Sequence, residues 1–235
     1  MPNRRLGIIT GSGPEAGIDL WTKVLRAQRH ALGSDYNGDV DAPNVTVLSV
    51  PELGHSMDLP ETNNLVWSHL RAAAERLAPQ VDRYAIACNT LYFYEANLRE
   101  LDLSADLISP VGCIRDESLR RGGAQMALLG AAPVTDFDGD TSPYASLRDT
   151  IPLELHREPQ RVHRLIESIK IAGAATPEIE SEFSEIIDGL ESDAALLACT
   201  ELPLVADIET TIELIDVTQL LANALVGEPR EERTN

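Results

Sequence analysis

The chain has 235 residues, 43% of them hydrophobic, and 38 acidic against 19 basic side chains give it a formal charge of −19. The apolar share is ordinary for a globular protein, which sets disorder aside, and the length suits one large domain or two small ones. An acid excess of this size repels phosphate backbones and anionic bilayers, so neither nucleic acid nor a membrane surface is an expected partner.

Only Lys23 and Lys170 are lysines; the other basic residues are arginines. That balance suits a strongly hydrated surface in a salt-rich cytosol, and compositional drift accounts for it equally well. No apolar run approaches the ~20 residues of a membrane helix, and no secretory cleavage pattern precedes Gly11. Three scattered cysteines, Cys88, Cys113 and Cys199, are too few for a disulfide scaffold. The expected location is cytoplasmic, with reduced thiols. The tail from Gly227 to Asn235 reads as frayed.

In chain order, Leu6-Gly7-Ile8-Ile9-Thr10 is a strand that meets the turn Gly11-Ser12-Gly13-Pro14. Pro14 opens a helix carrying Ile18, Trp21, Val24 and Leu25 at helical spacing. Val45 to Val50 is a second strand, stopped by Pro51, and residues 52–62 read as loop. A helix over 63–78 follows through Leu65, Leu70, Ala73, Ala74 and Leu77. Tyr84 to Ala87 is a strand running into Cys88-Asn89-Thr90, a helix extends to about Arg99, and Leu107–Val111 closes the series. The pattern then restarts. Met126 to Gly130 is a strand before the Pro-containing turn 131–135, Leu153–Leu155 a short strand, and Val162 to Ile171 a helix. Ala194 to Ala198 runs into Cys199-Thr200-Glu201, and Ile212 to Ile215 precedes a terminal helix. Alternation of this kind predicts parallel sheets covered on both faces. Gly11 precedes Cys88 by 77 residues and Gly130 precedes Cys199 by 69, which reads as a degenerate duplication into two similar α/β lobes.

Ligands in open α/β sheets bind beyond the carboxyl ends of the strands, where Cys88 and Cys199 both fall. A thiol at a helix N-terminus is activated by unpaired N–H groups, and Asn89, Thr90 and Thr200 add donors for a carboxylate or an oxyanion. One such cysteine alone reads as a small core hydrophobe. Two in matching places read as an acid and a base on opposite faces of one carbon, an arrangement that inverts a stereocentre. Gly11-Ser12-Gly13-Pro14-Glu15-Ala16 also fits a G-x-G-x-x-A dinucleotide fingerprint. It lacks the acidic residue expected at the end of the second strand and holds Pro14 in the turn, so a small anion suits it better. The five histidines show no metal-ligand spacing, Cys113 reads as core packing, and Asp138-Gly139-Asp140 as a solvated turn. Ser142-Pro143-Tyr144 is placed in a lid over the cleft.

Leu6–Pro14, Ala87-Cys88-Asn89-Thr90 and Ala198-Cys199-Thr200-Glu201-Leu202-Pro203-Leu204 resemble the three landmark motifs of the aspartate/glutamate racemases, cofactor-independent enzymes of the Asp/Glu/hydantoin superfamily. The closing Ile215-Asp216-Val217-Thr218 resembles the family's last strand and helix. The resemblance implies two pseudosymmetric lobes, residues 1–109 with 216–235 and residues 110–215, each a mainly parallel sheet flanked by helices, with the active site in the cleft between them. It implies Cys88 and Cys199 as the acid/base pair, with neither pyridoxal phosphate nor a metal. Substrate binding would fall to Gly11, Ser12, Gly13, Asn89, Thr90, Thr135, Thr200 and Glu201. Lys170, in Glu167-Ser168-Ile169-Lys170, resembles a carboxylate-binding lysine. The implied substrate is a small amino acid or dicarboxylate, and the implied assembly a homodimer.

The motif departs from the family in places. Tyr92 stands where relatives often have histidine, and Ile166 where some have tyrosine. The loop Pro51–Asp58 lacks the arginine with which aspartate racemases grip a distal carboxylate, and its Glu52 and Asp58 are expected to repel one unless His55 is protonated. Maleate isomerisation or hydantoin racemisation at the same site are the related alternatives, while arylmalonate decarboxylation, which needs only one thiol, is disfavoured by the presence of both. A non-catalytic dicarboxylate-binding protein is the alternative from another class.

Overall fold

The computed structural model describes residues 4–227, so the tail read as frayed lies, over residues 228–235, outside the described part. The first half runs β1 (Arg5–Thr10), α1 (Pro14–Leu32), β2 (Asn44–Ser49), α2 (Leu59–Leu77), β3 (Arg83–Ile86), α3 (Glu95–Glu100), β4 (Asp106–Leu107) and α4 (Pro110–Arg120). The second runs β5 (Met126–Leu129), α5 (Ala132–Thr135), β6 (Leu153–Leu155), α6 (Pro159–Ala172), α7 (Pro177–Asp188), β7 (Ala194–Leu197), β8 (Glu213–Asp216) and α8 (Val217–Val226).

These form two four-stranded parallel sheets with the same order, β2-β1-β3-β4 and β6-β5-β7-β8. The expected two-lobed α/β architecture is what the chain adopts. In each sheet the first strand lies inside, between the second and third. Leu6 to Thr10 and Met126 to Leu129 are accordingly buried on both faces, which is why their sequences run apolar without alternation. Helix starts follow local chemistry. Proline opens α1, α4, α6 and α7, where a missing N–H costs nothing. Asp216 caps α8 by accepting from the Thr218 and Gln219 amides at 2.8 and 3.1 Å.

Four readings change. Residues 52–62 are not loop: a 3-10 turn over Pro51–Asp58 leads directly into α2, and Pro60 sits in the first helical turn where it is tolerated. Leu107–Val111 is not a strand beyond Leu107, because Pro110 begins α4. Helix α7, unread in the sequence, buries Ile179, Phe183, Ile186 and Ile187 while its acidic residues face outward. Finally, α1 buries Ala16, Leu20, Val24 and Ala27 and turns Ile18, Trp21 and Leu25 toward solvent; Leu65 of α2 is likewise exposed. The small residues are inside because α8 packs closely on α1, and Leu221, Ala222 and Leu225 need room in the first core.

The return of α8 to the first core is held by one of the two lysines. Lys23 on α1, almost wholly buried, pairs with Asp19 and, at 2.5 Å, with Asp216 at the end of β8. The same carboxylate therefore caps one helix and anchors another.

Candidate active site

The turns that follow β1 and β7 meet at one cavity, through Ser12 and Gly13 on one side and Glu201 on the other, and Cys88, after β3, is bonded to Ser12. After β1 the chain turns at Gly11, with φ +129° and an imagined Cβ only 2.0 Å from the Val50 carbonyl oxygen. Only glycine lets the two loops close there. This closure brings Ser12 under the 3-10 turn, where its Oγ lies 2.8 Å from Ser56 Oγ, and the Cys88 thiol donates to Ser12 Oγ at 3.4 Å. Ser56 Oγ also lies 3.7 Å from Cys88 Sγ. The three groups are buried, so the bonded Ser12–Ser56 pair keeps one hydroxyl proton to donate to a Cys88 thiolate in place of water.

The second thiol has a different environment. Cys199 Sγ donates to Glu201 Oε2 at 2.9 Å, the Thr200 hydroxyl donates to the same oxygen at 3.1 Å, and Lys170 Nζ lies 3.4 Å from Glu201 Oε1. That second oxygen is buried and accepts no directed hydrogen bond among the described residues. Burial, then the Glu201 carboxylate, pushes the Cys199 thiol well above its usual range, with Lys170 opposing. Burial pulls on Lys170 in the neutral direction, but Glu201 and the Cys88 and Cys199 thiols outweigh it and leave the ammonium raised. Both thiols are thus among the groups that keep Lys170 charged, although Cys88 belongs to the first core and Cys199 to the second.

A cavity of about 240 Å³ opens against these groups, with Ser12, Gly13 and Met57 from the first lobe and Ile169, Lys170 and Glu201 from the second on its wall. Neither thiol is on this wall: each is only 6–7% exposed, Cys88 hydrogen-bonded to Ser12 and Cys199 to Glu201. The volume is below the roughly 300–1,000 Å³ of drug-sized ligand sites, which suits one small molecule. Gly13 has φ +113°, and an added Cβ would sit 2.7 Å from Glu201 Oε1, so the turn forms the cavity floor against that carboxylate.

The remaining expected residues divide. Thr200 and Glu201 join this constellation. Asn89 and Thr90 are buried at the start of the 3-10 turn after Cys88, and Asn89 Oδ1 accepts from the Tyr144 hydroxyl. Thr135 lies elsewhere, on a separate cavity of about 150 Å³ with Gly130, Leu155 and His156. Tyr144, placed in a lid by the sequence, is fully buried in the second lobe and reaches across to Asn89. Tyr92 is also structural: its oxygen accepts from the Ile86 amide at 3.0 Å, and burial keeps its phenol protonated well above the usual range. The acids of the 51–58 loop, Glu52 and Asp58, face solvent with His55, while the loop presents Gly54 and Met57 to the cavity. Repulsion from that loop is therefore not what shapes the site. Ser56 was missed, since a lone serine in a polar segment carries no local signal. Among the described residues no group of three or more His, Cys, Asp or Glu side chains is placed to hold a metal ion, and no helix is long and apolar enough to cross a membrane.

A two-lobed α/β protein with thiols at the ends of two equivalent strands and a small cavity between the lobes defines the class. The family model of Asp/Glu/hydantoin racemase matches residues 9–225, and the chain belongs to that family. Among solved structures it is similar to the Picrophilus torridus aspartate racemase (23% identity, 95% of this chain and 93% of the other, TM-score 0.76). It is similar also to an aspartate racemase homologue from Pyrococcus horikoshii OT3 (20%, 95% and 97%, TM-score 0.69) and to a glutamate racemase isoform from Bacillus anthracis (12%, 96% and 81%, TM-score 0.65). At these identities the likeness is one of fold. No curated protein matches the sequence.

Proposed function

We propose that the protein is a cofactor-independent amino-acid racemase in which Cys88 and Cys199 act as paired acid and base at the α carbon. One thiolate takes the α proton, the carbanion's charge spreads into the substrate carboxylate as an enolate, and the other thiol returns a proton to the opposite face. The Ser12–Ser56 hydroxyl pair supports the Cys88 thiolate by donating a hydrogen bond, and Glu201 accepts from Cys199 while that group is a thiol. Lys170 and the amides of the Gly11–Gly13 turn and of Asn89 and Thr90 attract the substrate carboxylate. The division into lobes of residues 1–109 with 216–235 and residues 110–215, a homodimer and a cytoplasmic location accompany this reading as proposals.

The observation that carries it is one cavity bordered by Ser12, the partner of the first thiol, and Glu201, the partner of the second. Incubation with single amino-acid enantiomers in deuterated water is expected to give Cα exchange and loss of optical activity. Both are expected to vanish in Cys88→Ala and in Cys199→Ala. Exchange that survives both substitutions rejects the two-thiol mechanism. A covalent adduct on either cysteine after incubation with maleate would instead support the isomerase alternative.

A further inference from the structure

Resting on the racemase reading, we infer that the substrate is an α-amino acid whose side chain carries no carboxylate, a neutral and largely apolar one. Lys170 is the one cationic side chain on the cavity wall among the described residues, and it stands 3.4 Å from Glu201. These two charges match the two ends of an amino acid's zwitterionic head. The ammonium of Lys170 meets the α carboxylate. The Glu201 carboxylate, on the same wall and paired with Lys170, supplies the negative charge that the α ammonium meets. A head group held in this way leaves no cation for a second carboxylate.

The rest of the wall agrees. Met57, Ile169 and Leu204 face the cavity, with Gly13, Gly54 and Gly173 opening space between them, and Glu15 is a further anion at the rim. The loop over Pro51–Asp58 brings no positive group inward, since His55 is exposed and off the wall. A distal carboxylate placed there would lose water, meet apolar carbon and face two anions. A methionine-like or leucine-like side chain would instead bury its surface against matching groups, and the flexible Met57 tolerates variation in its shape. Discrimination of this kind is strong, because an unpaired polar group in a closed site costs far more than a misfitted methylene.

The test is Cα exchange in deuterated water with methionine, leucine, alanine, aspartate and glutamate, both enantiomers of each. The expected result is a kcat/KM for methionine or leucine at least tenfold above that for aspartate or glutamate. Equal or faster exchange of aspartate or glutamate overturns this inference and leaves the racemase reading intact. Exchange with none of the amino acids overturns the racemase reading itself, and this inference with it. In Glu201→Gln one of the two anions that a distal carboxylate would face is gone, and the ratio of aspartate to methionine turnover is expected to rise at least fivefold. An unchanged ratio overturns the assignment of the ion pair as the determinant.

Discussion

Replacing Glu201 by glutamine is expected to move the Cys199 thiol downward in pKa. In the native protein the thiol donates to Glu201 Oε2 at 2.9 Å, so the bond exists only in the protonated form, and the carboxylate's charge opposes ionisation further. A hydrogen bond to a charged group contributes about 1.5–3 kcal/mol, which at about 1.4 kcal/mol per unit corresponds to a drop of roughly one to two pKa units. Lys170, freed from its 3.4 Å pair, acts in the same direction by attracting the thiolate. The burial contribution stays, so the group remains above an exposed thiol. The assay is the pH dependence of iodoacetamide alkylation at Cys199, resolved by peptide mass spectrometry, in the native chain and the variant. A midpoint that stays in place or rises in Glu201→Gln refutes the electrostatic account of this thiol.

Three further outcomes follow from the same geometry. Lys23→Met leaves Asp19 and Asp216 facing each other without a cation; because these groups are mostly buried, a loss of about 2–4 kcal/mol in urea-unfolding stability is expected, and a loss below about 1 kcal/mol would show the pair to be incidental. Gly11→Ala, which drives a Cβ to 2.0 Å from the Val50 carbonyl, is expected to destabilise by more than about 2 kcal/mol, while Gly33→Ala, at φ +52° in open space, costs about 1 kcal/mol; equal costs in the same measurement contradict the close-approach reasoning. Cys113 is buried and its thiol is pushed up to about 11, burial being the main cause. Its protonated form is favoured on folding, so its stabilisation is whole below pH ~9 and is lost as pH climbs toward ~11, by roughly 3 kcal/mol. Cys113→Ala is therefore expected to flatten the fall in stability across that window, and an unaltered slope excludes the thiol as its source.

Much of the site was legible because its parts are local. A buried parallel strand followed by Cys and hydroxyl or amide residues is a contiguous pattern, and the requirement that such strand ends meet a ligand is a property of the fold class. Cys88, Cys199 and Thr200 read out in this way and the Gly11–Gly13 turn from its glycines after a strand, whereas Glu201 and Lys170, which lies within α6, came only from the resemblance to the racemase motifs. Ser56 was found in neither way, because it matters only after Gly11 lets two loops approach within contact distance. Thr135 shows the converse: its turn is the counterpart in sequence of the Gly11 turn, but its side chain opens on another cavity.

By itself the sequence determined the alternation of strands and helices, the parallel sheets and the two cysteine turns, since hydrophobic period, proline and glycine act over a few residues. The tertiary structure alone decided which face of α1 is covered, as Trp21 is apolar enough for a core but too large for the close contact with α8. It also decided that Glu52 and Asp58 face water while Glu201 meets Lys170. Charges interact through space, with an energy set by distance and by the solvent excluded around them, and neither quantity is written in the order of residues along the chain.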